Sequence, residues 1–264
     1  MGSLNRWTAY GSIGKSIRML YFSTTLLTIM FSLAVFIFGA WLYYNLAAYS
    51  ELLTPSLYLD VSRIMMIVSL LAVINSVISI YGIIKELRCM IYSFSIASVI
   101  IFIMLFVGGI IGFVFRHKLE YIIPLDLKMS TSLRELYGQD EIPSVTSAWD
   151  TLQSNFECCG VNGTDNWNIW TKSKWHMHHT TEPDGSRPKV PASCCHSGHE
   201  KECQDPFIDA SNSTGIIFKD TCYDLLRNKL LSNIYVAAWL SIVESISLLI
   251  PAFFAAVYAR LIRK

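Results

Sequence analysis

The chain has 264 residues, 53% of them hydrophobic and 16% charged, well below the roughly 25% charged share of an ordinary soluble domain. Its net charge of +1 lacks the basic excess that neutralises a phosphate backbone, which excludes a nucleic-acid partner. The composition is that of a membrane protein, and the placement of charge along the chain gives its layout.

Residues 1–18 carry Arg6, Lys15 and Arg18 and no acid, and no charged residue follows until Glu51. Residues 19–43 therefore read as the first membrane span, too long for the core of a cleaved leader and so expected to be retained. Residues 44–63 form a short outer loop with no cysteine, 64–84 the second span, 85–90 a turn, and 91–115 the third span. Residues 116–235 form a large outer loop, 236–258 the fourth span and 259–264 a short tail. Each span meets the ~20 apolar residues that cross about 30 Å of hydrocarbon at about 1.5 Å per residue.

Orientation follows from lysine and arginine. The amino-terminal segment, the 85–90 turn and the tail together hold eight of the 21 basic residues but only one of the 20 acidic ones, Glu86. Basic segments stay on the cytoplasmic side, so both termini are predicted inside and the large loop outside. Trp41, Tyr43, Tyr44, Tyr235 and Trp239 fall where an outer aromatic belt would lie.

Helices in lipid associate where small side chains let their backbones approach. Thr25, Thr28, Ser32, Val35 and Gly39 recur at spacings of three and four in the first span, as do Ala72, Asn75, Ser79 and Gly82 in the second. Gly108 and Gly112 make a small-xxx-small step in the third. Two strongly polar side chains lie deep in the apolar zone, Asn75 about 16 Å and Glu244 about 12 Å below the outer boundary. Those depths permit a hydrogen bond between them. They read either as interhelical glue or as a polar anchor for a bound sterol or lipid headgroup.

The large loop opens on a helical pattern, with Ile122, Leu125, Met129, Leu133 and Leu136 preceding Gly138. After Pro143, the spacing of Val145, Trp149, Leu152, Phe156 and Cys159 predicts a second helix with Cys159 on its buried face. Cys222, Leu226 and Leu230 form a third stripe that leads into the fourth span. Between Cys159 and Cys222 no clean period appears. Six of the seven cysteines, Cys158, Cys159, Cys194, Cys195, Cys203 and Cys222, lie in this loop. An even set on the oxidising side of a membrane is a disulfide framework, and six cysteines allow about fifteen pairings. The predicted fold is an all-α integral membrane protein: a four-transmembrane-helix bundle with a disulfide-stapled, largely helical large extracellular loop.

Cys158-Cys159-Gly160 and Pro191-Ala192-Ser193-Cys194-Cys195, in the second outer loop of a four-span chain, resemble the signature of the tetraspanin family. Trp149-Asp150 before the first motif and Asp165-Asn166-Trp167 after it are similar to that family's loop. Claudins and connexins also have four spans, but their cysteines occupy the first outer loop. The resemblance implies the bridges Cys158–Cys222, Cys159–Cys194 and Cys195–Cys203, and a helical stalk beneath a variable head at about 161–221. It also implies a membrane scaffold without enzymatic turnover. Such a scaffold would bind other membrane proteins, including other tetraspanins, and would organise them in the plasma or endosomal membrane. No cofactor is expected beyond a bound sterol or lipid.

Within that frame Trp167, Trp170 and Trp175 are the aromatics expected to be exposed on the head as partner-binding hot spots, the plainer reading being packing within the loop. Asn162 and Asn212 head N-glycosylation sequons, and Cys89 sits where a membrane-edge thiol is S-palmitoylated. His176, His178, His179, His196 and His199 suggest zinc. An oxidising compartment consumes the neighbouring thiols, however, so no metal is expected. Tyr258 opens a sorting-type motif but lies in the membrane interface. No phosphate-cradling loop, nucleophile elbow or paired acid–base motif supports an enzyme. The rival from another class is a small four-span transporter or channel using Asn75 and Glu244.

Overall fold

The computed structural model describes residues 11–53, 57–121, 125–162, 168–178, 187–205 and 215–262. Its helices are α1 (Ser12–Ala47), α2 (Leu57–Lys85), α3 (Arg88–Tyr121), α4 (Leu125–Glu135), α5 (Pro143–Phe156), α6 (Asn168–Thr171), α7 (Lys174–His178), α8 (Glu200–Cys203) and α9 (Cys222–Leu261). Two 3-10 turns, Ser50–Leu53 and Ala192–Cys194, complete them, and among the described residues no β-strand forms. The chain divides into two compact units. One comprises Met1–Tyr43, Val61–Arg116 and Ile234–Lys264, the other Tyr44–Asp60 and His117–Asn233.

The first unit is built from α1, α2, α3 and α9, each long and apolar enough to cross a membrane. Its surface is aliphatic, and its interior combines apolar clusters with many small and hydroxylated side chains. Met19, Leu27, Ile37, Ile64, Ile67 and Ile96 are exposed, whereas Thr25, Thr28, Ser32, Ser69, Ala72, Ser76 and Ser79 are buried. Lipid is as apolar as leucine, so burying leucine gains little there. Close backbone approach and hydrogen bonds do the holding.

Those bonds run between every neighbouring pair of spans in this unit. The Tyr21 and Ser79 hydroxyls join α1 to α2 at 2.6 Å. Asn75 Nδ2 donates to Ser98 Oγ across α2 and α3 at 3.1 Å, and Ser95 Oγ donates to the Ala252 carbonyl across α3 and α9 at 3.2 Å. Pro251, inside α9, has no N–H to give the carbonyl of Ser247 four residues earlier. Thr28 Oγ1 of α1 lies 3.5 Å from that oxygen, so the neighbouring span answers the group the proline leaves open. At one end of the unit Tyr21, Ile83, Ile91, Phe94, Ala255, Tyr258 and Ala259 form an apolar cluster from all four helices. Nearby, Arg18 Nη1 donates to Glu86 Oε1 at 2.9 Å. At the other ends of the spans Phe113, Tyr235 and Trp239 pack edge to face, with the Arg116 guanidinium over Tyr235.

The small-residue step on α3 differs from the expected one. Gly112 faces Ala238 of α9, but Gly108 faces open space and its neighbour Gly109 makes the close approach. A Cβ on Gly109 would lie 2.6 Å from Ile242 Cγ1 and 3.2 Å from the Ala238 carbonyl oxygen. The contact thus follows an i, i+3 row, which the i, i+4 rule for small residues does not register.

In the second unit α4 is helical over Leu125–Glu135, with Leu125, Met129, Ser132 and Leu133 buried. The periodic stripe ends earlier than its spacing predicts. Leu136 is exposed, and the next residue, Tyr137, turns inward instead because the helix has already closed. Ile122 lies outside the described residues. The short 3-10 turn belongs to this unit and is fastened to α5: the Tyr49 ring packs against Phe156 at 5.8 Å, and Asn155 Nδ2 donates to the Tyr49 hydroxyl at 3.0 Å.

Gly109→Leu is expected to overpack the α3–α9 contact by about 1–3 kcal/mol and to lower the thermal midpoint of the purified full chain. Gly108→Leu, one residue away, should leave it unchanged. Paired melting curves in one detergent check the contrast, and equal effects would contradict this packing.

Candidate functional site

The large loop is organised by α5. Pro143 opens the helix at a position where a missing N–H costs nothing. Trp149 is fully buried, and its indole N–H donates to Ser132 Oγ of α4 at 3.3 Å. Glu157 then adopts a left-handed conformation, and both its N–H and that of Cys158 bond back to the Gln153 carbonyl. The helix therefore stops at Phe156, before Cys159, contrary to the helical placement predicted for that cysteine. Cys158 and Cys159 lie on extended chain. Cys158 bridges to Asp220, and the Cys159 N–H donates to the Asp220 carbonyl at 3.0 Å. Gly160, with φ 73°, turns the chain away in a conformation that costs a side-chain-bearing residue about 1 kcal/mol or more.

Three disulfides fix this region: Cys158–Cys222, Cys159–Cys194 and Cys195–Cys203. The first ties the end of α5 to the start of α9, and the second ties it to the Ala192–Cys194 turn. Backbone bonds repeat the same connections, since the Phe218 N–H donates to the Cys194 carbonyl, the His196 N–H to Ile216 and the Tyr223 N–H to Val161.

Asp150 is the polar centre of the arrangement, a role that composition and spacing did not signal. The Tyr137 hydroxyl donates to Asp150 Oδ1 at 2.7 Å, and Ser193 Oγ lies 2.7 Å from the same oxygen and 2.7 Å from Gln153 Oε1. Burial, reinforced by the Asp150 charge, pushes the Tyr137 phenol well above its ordinary range and keeps it a donor. Asp150 stands beside Trp149, and Ser193 stands inside the Pro191–Cys195 motif. One carboxylate thus holds the serine of one motif from the helix that precedes the other.

Between Gly160 and Cys222 the described chain forms only short helices. Trp170, on α6, is fully buried and therefore not an exposed hot spot. Its ring lies 4.8 Å from Tyr137 and 5.7 Å from Trp175, and all three rings meet edge to face. Trp175 is half-buried on Gly138, where an added Cβ would come 2.5 Å from Trp175 Cδ1 and φ is +74°. Both tryptophans are packing residues: Tyr137 gives each an edge, and Gly138 gives Trp175 a floor. Trp167 lies outside the described residues. On the outer side of α7, Met177 and His178 are exposed.

Of the remaining predicted positions, Asn162 is exposed, while Asn212 and His179 lie outside the described residues. Cys89 is a free, exposed cysteine at the start of α3. His176 Nδ1 lies 3.0 Å from the Pro188 carbonyl oxygen and His199 Nδ1 lies 3.1 Å from Glu202 Oε2. Among the described residues no three His, Cys, Asp or Glu side chains converge as a metal site. In the bundle Asn75 and Glu244 are not partners, because Asn75 is engaged by Ser98. Glu244 is fully buried with the Ser32 hydroxyl of α1 beside it, outside strict hydrogen-bond geometry, and Ser76 Oγ likewise lacks a hydrogen bond.

A four-span bundle, a cysteine-free short loop and a large loop closed by three bridges at a Cys-Cys-Gly turn define a class of membrane protein. The Tetraspanin family model matches residues 17–261, and the chain belongs to the tetraspanin family. It is 44% identical to Tetraspanin-15 of Caenorhabditis elegans over the whole of both chains. It is 29% identical to the CD151 antigen of Mus musculus over 62% of this chain and 61% of that one. Similarity to Tetraspanin-4 of Homo sapiens is 23% over 83% and 82%. The family is non-enzymatic, and its members associate in general with other membrane proteins.

Tyr137→Phe keeps the aromatic packing and removes the bond to Asp150, so it is expected to cost about 1.5–3 kcal/mol in the stability of the full chain. Tyr137→Phe and Asp150→Asn in one protein should cost less than the two singly, which a double-mutant cycle on denaturant curves measures. Simple additivity would contradict the contact.

Proposed function

We propose that this protein is a membrane organiser. It binds particular membrane proteins laterally through the head of its large loop and gathers them into clusters, aiding their trafficking or signalling. The observation that carries the reading is the stapled loop itself, in which a rigid stalk and a double cysteine turn present a head of short helices and polar connections. Rigid presentation lowers the ordering cost of binding, and a loop so constrained is suited to recognition.

The charge distribution supports both termini inside and the large loop outside, in the plasma membrane or an endosomal membrane. That orientation exposes Asn162 and Asn212 to glycosylation and Cys89 to cytosolic S-palmitoylation. With Trp170 and Trp175 committed to packing, the exposed Met177 and His178 of α7 are the described residues of the head offered for recognition, and Trp167 stays a candidate on sequence alone. Glu244, the one fully buried carboxyl group among the described residues, supports a sterol or lipid headgroup inside the bundle. A transport path needs more ionisable groups than the one that Glu244 supplies.

Replacing residues 161–221 with the head of another tetraspanin should change which proteins an outward-facing proximity label recovers. An unchanged set would overturn the proposal. Glu244→Gln should keep those partners and alter sterol photolabelling, whereas loss of a solute or ion flux in reconstituted vesicles would favour the transporter reading instead.

A further inference from the structure

A cleft of about 360 Å³ opens between the start of α1 and the end of α2, lined by Lys15, Arg18, Met19, Phe22, Ile83 and Ile84. Its two halves differ in chemistry. Lys15 and Arg18 stand one helical turn apart at its polar end, and Phe22 lies a further turn along, so the cleft passes from cationic to apolar over about 10 Å. Met19, Phe22 and Ile84 are exposed along its rim, and Ile83 is its buried floor. Arg18 is held in place: its guanidinium donates to Glu86 Oε1 at 2.9 Å and to the Ile83 carbonyl at 3.4 Å. Among the described residues Lys15 has no such engagement and is exposed.

A cleft in the side of a membrane bundle is filled by whatever lies beside it. Here the walls match one kind of molecule, an amphiphile with an anionic head and hydrocarbon tails. A neutral zwitterion would leave the Lys15 charge uncompensated, and a water-soluble anion would leave the apolar wall uncovered. Glu86 opposes an anion, but Arg18 already engages it, and Lys15 leaves the polar end with a net positive charge.

We propose that this cleft binds one anionic phospholipid, its headgroup on Lys15 and Arg18 and its acyl chains along Met19, Phe22 and Ile84. It is a different site from the Glu244 interior. It rests on the reading that this end of the bundle faces the cytosol, where the anionic leaflet lies. A lipid held there would also cover α1 and α2 beside the Arg18–Glu86 pair, and so would join membrane composition to the packing of the first two spans.

The test uses the full chain in phosphatidylcholine nanodiscs containing a minor fraction of phosphatidylserine, with bound lipid counted by native mass spectrometry. Phosphatidylserine should be retained in preference to phosphatidylcholine at about one copy per chain. Lys15→Ala should weaken retention about fivefold, the effect of one basic residue at an anionic surface, and Lys15→Arg should restore it. Lys85→Ala, on an exposed lysine outside the cleft, should leave retention unchanged, and free O-phosphoserine should not displace the lipid. Equal retention of both lipids, equal loss with Lys85→Ala, or displacement by O-phosphoserine would each overturn the proposal. Nanodiscs have no inside or outside, so a wrong sidedness would leave these results intact and appear instead as an amino-terminal tag reachable from outside the cell.

Discussion

Two adjacent cysteines at the end of one helix hold the large loop to a single form. Neighbouring residues on extended chain point to opposite sides, so Cys158 and Cys159 bind different segments, one at the start of α9 and one in the Ala192–Cys194 turn. The bridges close intervals of 64 and 35 residues, and a cross-link over such intervals contributes on the order of 4 kcal/mol by restricting the unfolded chain. Between Gly160 and Cys222 the described residues form only four- and five-residue helices and a 3-10 turn, none with an amphipathic face large enough to fold by burial. The bridges, and the backbone bonds that accompany them, substitute for that missing core.

The Asp150 cluster adds direction to this restraint. A disulfide fixes a distance but leaves torsions free. A carboxylate that accepts from Tyr137 and lies within hydrogen-bond reach of Ser193 sets the rotation of the second cysteine motif relative to α5. Tyr137 then carries the order outward, since its ring is the edge on which Trp170 and Trp175 pack. The membrane bundle uses a different physics, with hydrogen bonds from small hydroxylated side chains set among apolar clusters inside and aliphatic side chains outside. Within it, Glu244 is a fully buried carboxyl group with the Ser32 hydroxyl beside it.

The fold class was legible because its signals are long and redundant. Four apolar runs, an excess of basic residues at three segments and six cysteines in one loop each constrain the same architecture. The disulfide pattern could not be read from spacing, which leaves the pairings open, and came only through resemblance to a family. Local geometry was less legible still. The α5 stripe continued through Cys159 on paper, but a left-handed Glu157 stops the helix first, and nothing about a glutamate announces that conformation. Tryptophans in a polar loop looked exposed by context, while a glycine floor at Gly138 and the ring of Tyr137 bury or half-bury them. Asn75 and Glu244 matched in depth, yet depth says nothing of azimuth, and Asn75 turns to Ser98.

The form of the large loop depends on the connectivity of the cysteines in the intact protein. Full-length chain purified without reductant, its free thiols blocked before digestion, should yield bridged peptides joining Cys158 to Cys222, Cys159 to Cys194 and Cys195 to Cys203, with none of these six carrying the block. Blocked Cys158 or Cys159, or a bridge from either to Cys195 or Cys203, would contradict it.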